Sequence, residues 1–168
     1  DLCRILSNYS GSLKLFVVNF TDVLKVLNRD VPSKYLTISM RRMMIKIAER
    51  VAIEEGALSL VTGESIGQVA SQTLESIAAS DAAADIPIIR PLITFDKEEI
   101  IDISNKIGTY NISTRPYEDC CTVFVPKHPK TRPSLDEVKL AEKNLDYEKL
   151  VENALNRIEI INIVNDGY

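Results

Sequence analysis

Short segments rich in leucine, isoleucine and valine alternate with amphipathic segments along the chain. Their length and composition are typical of strands, and the predicted strands are residues 13–18, 58–61, 86–92 and 158–164. Between them, apolar residues recur every three or four positions, which predicts helices that bury one face. The predicted helices are residues 1–8, 21–28, 36–55, 67–79, 96–107 and 147–157, with a further helix that starts at residue 134. Strands separated by helices predict an α/β fold with a parallel sheet flanked by helices.

Capping residues mark the ends of several predicted helices. Asp96 with Glu99, and Ser134 with Glu137, match the capping-box pattern, in which two side chains and two backbone N–H groups of the first turn bond reciprocally. Gly56 ends the longest helix. That helix carries one apolar stripe with helical spacing, which predicts its buried face. The stripe consists of Met40, Met44, Ile47 and Val51.

The composition supports a single folded domain. The 168 residues are 45% apolar and carry a net charge of −4, which allows a sizeable core and argues against nonspecific coating of nucleic acid. No apolar run approaches the roughly 20 residues that a membrane span requires, and no segment resembles a signal peptide. Three cysteines are too few for a disulfide scaffold, so we expect a cytoplasmic protein. Because the pattern opens with a helix rather than a strand, we expect the α/β domain to be truncated at its N-terminus.

A strand-to-helix turn at residues 61–72 is the first candidate site. Open α/β sheets bind ligands at the carboxyl ends of their strands, and Gly63 allows the backbone there to approach a ligand. No Lys or Arg lies between Arg50 and Arg90, so the turn suits an adenine or a ribose better than a triphosphate. One predicted helical face carries amide and hydroxyl groups, which is typical of a pocket wall, although a tight turn with a solvated face explains the same pattern. That face comprises Gln68, Ser71, Gln72 and Glu75.

Arg41 and Arg42, on the longest predicted helix, are the second candidate site. No carboxylate lies three or four residues from Arg41. Its guanidinium must therefore extend along the surface, pair with another element or bind an anion. Arg42 falls on the more polar side of the helix. For both arginines, a solvated surface position is the favoured interpretation.

Two adjacent cysteines, Cys120 and Cys121, lie in a proline-punctuated loop at residues 116–133. Cationic side chains follow them, which favours a reactive thiolate, whereas simple packing of small apolar groups is the alternative. The few soft ligands lack the paired spacing of a zinc site, so we predict no metal site. The only histidine, His128, has no Ser–His–Asp pattern around it, which argues against a hydrolase triad. The basic end of the loop also suits a phosphate backbone, although a solvated loop explains it as well.

Four segments together closely resemble the tRNA 4-thiouridine synthetase (ThiI) family, in its PP-loop pyrophosphatase domain. They are MRRMM at 40–44, LVTGESIGQVASQTLES at 60–76, RPLI at 90–93 and PYEDCCTVF at 116–124. The second and fourth segments are highly specific, and the resemblance extends from the first predicted strand through Pro133. It therefore implies a PP-loop, adenine nucleotide alpha hydrolase-like fold for most of the chain.

The resemblance also implies an activity and its reactants. Enzymes of this family use ATP and Mg²⁺ to adenylate O4 of the uridine at position eight of tRNA, and sulfur from a protein persulfide then displaces AMP. Adenylation is chemically sensible because it converts a poor leaving group into a good one before the sulfur nucleophile attacks. We accordingly expect tRNA as a partner, a cysteine desulfurase as the sulfur donor, and a link to thiazole synthesis for thiamine. A homodimer is the alternative to a monomer.

The resemblance assigns roles to five residues. Arg41, Gly63 and Gln72 match the family positions that contact the nucleotide. Cys121 aligns best with the sulfur-transfer cysteine of the family, and Cys120 is its supporting neighbour.

Several parts of the family pattern do not occur in this sequence. The phosphate-binding Ser-Gly-Gly-x-Asp-Ser segment is not found, nor are the THUMP module and the rhodanese domain that some members carry. We therefore expect residues 1–168 to be a partial PP-loop domain that is inactive alone. The alternatives are another PP-loop enzyme that adenylates a different acceptor, and a nucleotide- or RNA-binding fragment that catalyses no reaction.

Overall fold

The computed structural model describes residues 1–67, 72–116 and 129–165, which form helices and two short pairs of strands. The helices are α1 (Leu2–Ser10), α2 (Thr21–Asp30), α3 (Leu36–Glu54), α4 (Leu74–Asp81), α5 (Lys97–Lys106), α6 (Tyr110–Ser113), α7 (Leu135–Ala141) and α8 (Tyr147–Leu155). The strands are β1 (Leu13–Val17), β2 (Leu60–Val61), β3 (Ile88–Ile89) and β4 (Glu159–Ile163). Each predicted strand and helix has a counterpart, whereas α6 and a short 3-10 helix, Ser33–Tyr35, carry no clear signal in the sequence.

The strand directions differ from the single parallel sheet that the alternation predicts. β2 and β3 are parallel, with Leu60 opposite Ile88, but β1 and β4 form a separate antiparallel pair in which Leu13 lies opposite Ile163. The prediction is therefore wrong for β1 and β4. Almost the whole chain separates these two strands, so their order along the sequence places no constraint on their relative direction. β2 and β3 are also shorter and more exposed than predicted, with Val61 at 66% exposure.

α3 is the central element of the core, and it packs against α2, α4 and α8. Because neighbours lie on several of its sides, its buried surface is wider than the single predicted stripe. Met40 and Ile47 are buried as predicted, but Met44 is 37% exposed and Val51 only half-buried. Further buried side chains of α3 are Leu36, Ile38, Ser39, Arg42, Met43, Ile45, Glu49 and Ala52.

Glu49 links α3 to the start of β3. Its Oε1 accepts the backbone N–H groups of Asp85 and Ile86, the latter at 3.1 Å. Burial by itself raises the pKa of Glu49, but these two N–H groups and the Lys46 ammonium outweigh burial and hold the pKa below its ordinary value. The buried carboxylate thereby fixes the chain just before β3 relative to α3.

The start of α4 corrects the predicted helix at residues 67–79. Thr73 is the N-cap, since its Oγ1 accepts the N–H of Ser76 at 3.2 Å, and the helix begins at Leu74. Gln72 therefore precedes the helix and does not share a helical face with Glu75. Gln68 and Ser71, the other two residues of the predicted face, lie outside the described residues.

The two predicted capping boxes are confirmed. Asp96 caps α5 together with Glu99, and Ser134 caps α7 together with Glu137. Within the described part of the chain, no helix has both the length and the apolar character needed to cross a bilayer.

Candidate functional site

The candidate site lies at the carboxyl ends of the parallel strands β2 and β3. Hydrogen bonds join the loop after β2 to the end of β3 and to the segment that follows it. Thr62 N–H donates to the Ile89 carbonyl at 3.0 Å, and Ile66 N–H to the Ile93 carbonyl at 3.0 Å. The buried Ser65 hydroxyl donates to the Phe95 carbonyl at 2.6 Å. The loop is thus held in place before any ligand binds, at the edge where open α/β sheets place their sites.

Gly63 occupies the exposed part of this loop. Its φ does not lie in the left-handed region, and a Cβ built on it would meet no described atom within 4 Å. Neither backbone strain nor internal crowding therefore requires glycine here. The open space in front of the backbone is available to a ligand.

Arg41 reaches this edge of the strands from α3. Its Nη1 lies 2.8 Å from Oε1 of Glu64, in the loop after β2, and the two side chains are 23% and 12% exposed. Of the three outcomes that the sequence allows for Arg41, the structure shows pairing with another element. A cation from outside the acidic segment between Arg50 and Arg90 thus pairs with one of its carboxylates.

Arg90, the residue after β3, completes an ion-pair network around Glu64. Its Nε lies 2.8 Å from Glu64 Oε2, and its Nη1 lies 3.1 Å from Asp81 Oδ2. Burial by itself lowers the pKa of Arg90, but Asp81 and Glu64 outweigh burial and hold the pKa above its ordinary value. Sequence reasoning assigned no role to Glu64 or Arg90. The available signal was that Glu64 lies three residues after one predicted strand and Arg90 near the end of the next.

Gln72 holds a buried acceptor without a visible partner. Its Oε1 has no hydrogen-bond partner among the residues that the structure describes. Such a group costs about 1 to 3 kcal/mol when it stays unpaired, so the site favours a ligand that supplies an N–H donor. The exocyclic amino group of adenine is a donor of this kind, and Gln72 therefore fits an adenine nucleotide.

The cysteine loop approaches the same region at its carboxyl end. Cys120, Cys121 and His128 lie outside the described residues. After that gap, the Thr131 carbonyl accepts the Thr73 hydroxyl at 2.7 Å, at the N-cap of α4 and next to Gln72. Among the described residues, no group of three or more His, Cys, Asp or Glu side chains could hold a metal ion.

Among the candidates that the structure describes, Arg42 lies away from the site. Instead of lying on a solvated face, its guanidinium is buried against Glu142 of α7, with Nε 3.0 Å from Oε2. The expected surface position is therefore wrong. The structure brings Arg41 and Gly63 to the carboxyl end of β2, and it places Gln72 in the segment that leads from the same loop into α4.

Helices around a parallel strand pair, with a polar site at the strand ends, define a protein of the α/β class. The chain belongs to the ThiI family, described as thiamine biosynthesis protein, which it matches over residues 1–147. It is 55% identical over 153 residues to a probable tRNA sulfurtransferase of Caldanaerobacter subterraneus subsp. tengcongensis, covering 91% of this chain and 40% of the relative. A probable tRNA sulfurtransferase of Moorella thermoacetica is 52% identical over 163 residues, covering 97% of this chain and 42% of the relative.

A solved structure confirms the fold. This chain superposes with a TM-score of 0.92 and 42% identity on the crystal structure of a 4-thiouridine synthetase–RNA complex with bound ATP. The match covers 97% of this chain and 43% of that one. The chain thus spans about two fifths of the length of the proteins that it matches.

Proposed function

We propose that the protein carrying this chain is an ATP-dependent tRNA sulfurtransferase that makes 4-thiouridine. The observation that carries the proposal is the 0.92 TM-score, at 42% identity, to a 4-thiouridine synthetase solved with RNA and ATP. In this reaction, O4 of a uridine attacks the α-phosphorus of ATP and pyrophosphate leaves. The terminal sulfur of a protein persulfide then attacks C4 and AMP leaves, so that a disulfide joins the nucleoside to the protein cysteine. A second thiol attacks the cysteine sulfur of this disulfide and releases 4-thiouridine, and a thiol reductant reduces the protein disulfide that forms.

In this proposal the nucleotide contacts Arg41, Gly63 and Gln72. Three features of the structure support the assignment: a guanidinium at the carboxyl end of β2, an open approach to the Gly63 backbone, and a buried Gln72 acceptor that needs a donor. All three suit the nucleoside part of ATP, which offers ring nitrogens, hydroxyls and an amino group. Mg²⁺ would accompany the triphosphate and neutralise its charge.

Cys121 carries the sulfur-transfer role in this proposal, and Cys120 supports it. The hydrogen bond between Thr73 and the Thr131 carbonyl supports the assignment, because it ties the end of the cysteine loop to the segment that holds Gln72. A thiol on this loop would then lie within reach of an activated uridine. Residues 1–168 act here as part of a PP-loop domain, with tRNA and a cysteine desulfurase as partners in the cytoplasm and with a further contribution to thiamine synthesis. A homodimer is the assembly to test against a monomer.

Deletion of the gene tests the proposed function directly. We expect tRNA from the deleted strain to lose 4-thiouridine, measured by its near-ultraviolet absorbance and by mass spectrometry of digested nucleosides. Complementation with the complete gene should restore the modification. Normal 4-thiouridine in the deleted strain would contradict the proposal, and pyrophosphate release that does not depend on tRNA would instead favour a different acceptor.

A further inference from the structure

The carboxylate of Glu64 joins two arginines from different elements. Its Oε1 lies 2.8 Å from Arg41 Nη1, while its Oε2 lies 2.8 Å from Arg90 Nε and accepts the Thr62 hydroxyl at 3.1 Å. We propose that Glu64 is a positioning residue, which holds the Arg41 guanidinium in the orientation that nucleotide binding requires. The inference rests on the proposed function, in which Arg41 contacts ATP.

The Oε2 atom of Glu64 is held in place by Arg90 and Thr62. Arg90 is only 8% exposed, and it also bonds Asp81 and, at 3.4 Å, the Ile88 carbonyl within β3. Thr62 belongs to the loop that is hydrogen-bonded to β3 through its own N–H group. Oε2 is therefore tied to the strand ends by two partners, and this leaves Oε1 to direct a third group.

Arg41 is the member of the network that such an anchor would guide. Its side chain is 23% exposed, against 8% for Arg90, and it comes from α3 rather than from the strands. A long arginine side chain loses rotamer freedom when it binds a ligand, and pre-orientation removes part of that cost. A carboxylate at 2.8 Å provides this pre-orientation.

Because of the charges in the network, the direction of the change in ATP affinity distinguishes a positioning role of Glu64 from a purely electrostatic one. Arg41 and Arg90 carry two positive charges, and Glu64 and Asp81 carry two negative charges, so the cluster is balanced. Replacing Glu64 with Gln removes one negative charge, which by electrostatics alone should tighten the binding of anionic ATP. Loss of a positioning contact should weaken binding instead.

ATP affinity in a double-mutant cycle tests the inference, with the protein expressed from its complete gene. We expect Glu64→Gln to weaken ATP binding about tenfold, a coupling of ordinary size for residues in contact. In an Arg41→Ala background the same substitution should have no further effect. Glu148→Gln is the matched control, because it removes the same charge from an exposed carboxylate that pairs with Arg50 outside the network, and it should leave ATP affinity unchanged.

Three results would overturn the role of Glu64: unchanged affinity in Glu64→Gln, tighter binding, or an equal loss with and without Arg41. If Glu64→Gln fails to fold, Glu64→Asp keeps the charge beside Arg90 but shortens the reach to Arg41. A folded Glu64→Asp protein with full ATP affinity would overturn the role as well. Failure of the wild-type protein to bind ATP would refute the proposed function itself, which is a different and separable result.

Discussion

Arg42 shows at the residue scale how a buried charge joins three helices. Its Nε lies 3.1 and 3.0 Å from the two carboxylate oxygens of Glu142, which caps the end of α7, and its Nη1 donates to the Ala79 carbonyl of α4. The two side chains are 7% and 4% exposed. A charge removed from water to this extent depends on its partner.

Removal of Glu142, the partner of Arg42, should lower the stability of the protein strongly. We expect Glu142→Ala to lower the free energy of unfolding by about 3 to 5 kcal/mol, because Arg42 would stay buried and unpaired. Denaturant titration measures the change. The matched control is Glu148→Ala, which removes a 77% exposed carboxylate paired with Arg50 at 3.6 Å and should cost less than about 1 kcal/mol.

A double replacement separates the charge from the packing. Arg42→Met combined with Glu142→Leu should recover much of the loss, since an apolar pair of similar volume avoids the desolvation penalty. Equal losses in Glu142→Ala and Glu148→Ala would contradict the buried-pair interpretation. Sequence reasoning could not identify this pair, because the two residues are 100 positions apart and Arg42 lies on the more polar side of its helix.

At the scale of elements, the start of α7 is specified by local chemistry. The Ser134 hydroxyl accepts the Glu137 N–H at 3.2 Å, and the Glu137 carboxylate accepts the Ser134 N–H at 2.9 Å. Lys130 adds an ion pair at 3.0 Å. The Ser134 N–H and the Lys130 ammonium lower the pKa of Glu137 from 4.5 to about 2. This helix start fixes the segment in which the chain returns from the cysteine loop.

The lowered pKa predicts a pH dependence. Since the folded pKa is below the unfolded one, Glu137 stabilises the protein fully above about pH 4.5, and its contribution is lost as the pH falls through about 2. Glu137→Gln keeps a capping acceptor but no charge. We expect the difference in Tm between wild type and Glu137→Gln to be constant near neutral pH and to shrink as the pH falls from 4.5 towards 2.

Lys130→Met provides the control for that titration. It removes the ammonium but leaves the Ser134 N–H, so the pH-dependent difference should become smaller without disappearing. A Tm difference that does not vary with pH would show that Glu137 contributes through its shape alone.

At the scale of the whole molecule, the fold brings distant segments together. Arg41 comes from α3, Gly63 and Glu64 from the loop after β2, and Arg90 from the position directly after β3. The carboxyl end of the cysteine loop reaches the N-terminus of α4 through Thr131. The proposed reaction would need such proximity, because the sulfur must reach the uridine while it is still adenylated.

A variant that loses sulfur transfer but keeps ATP binding tests this arrangement. We expect Cys121→Ser, in the protein expressed from its complete gene, to abolish 4-thiouridine formation while ATP affinity stays unchanged. Cys120→Ser should retain part of the activity, and Cys3→Ser, in α1, should retain all of it. Retained thiolation in Cys121→Ser would refute the sulfur-transfer role of that residue without refuting ATP use.

The sequence by itself determined what depends on near neighbours along the chain. Helices, capping boxes and the glycine turn after a strand follow from spacing within a few residues, and the ThiI resemblance follows from contiguous motifs. Tertiary structure decided the antiparallel pairing of β1 with β4, the burial of Arg42 and the Glu64 network, because each joins residues that are far apart in the sequence. Partners of this kind are selected by packing and by the cost of burying charge, and neither leaves a periodic signal in the sequence.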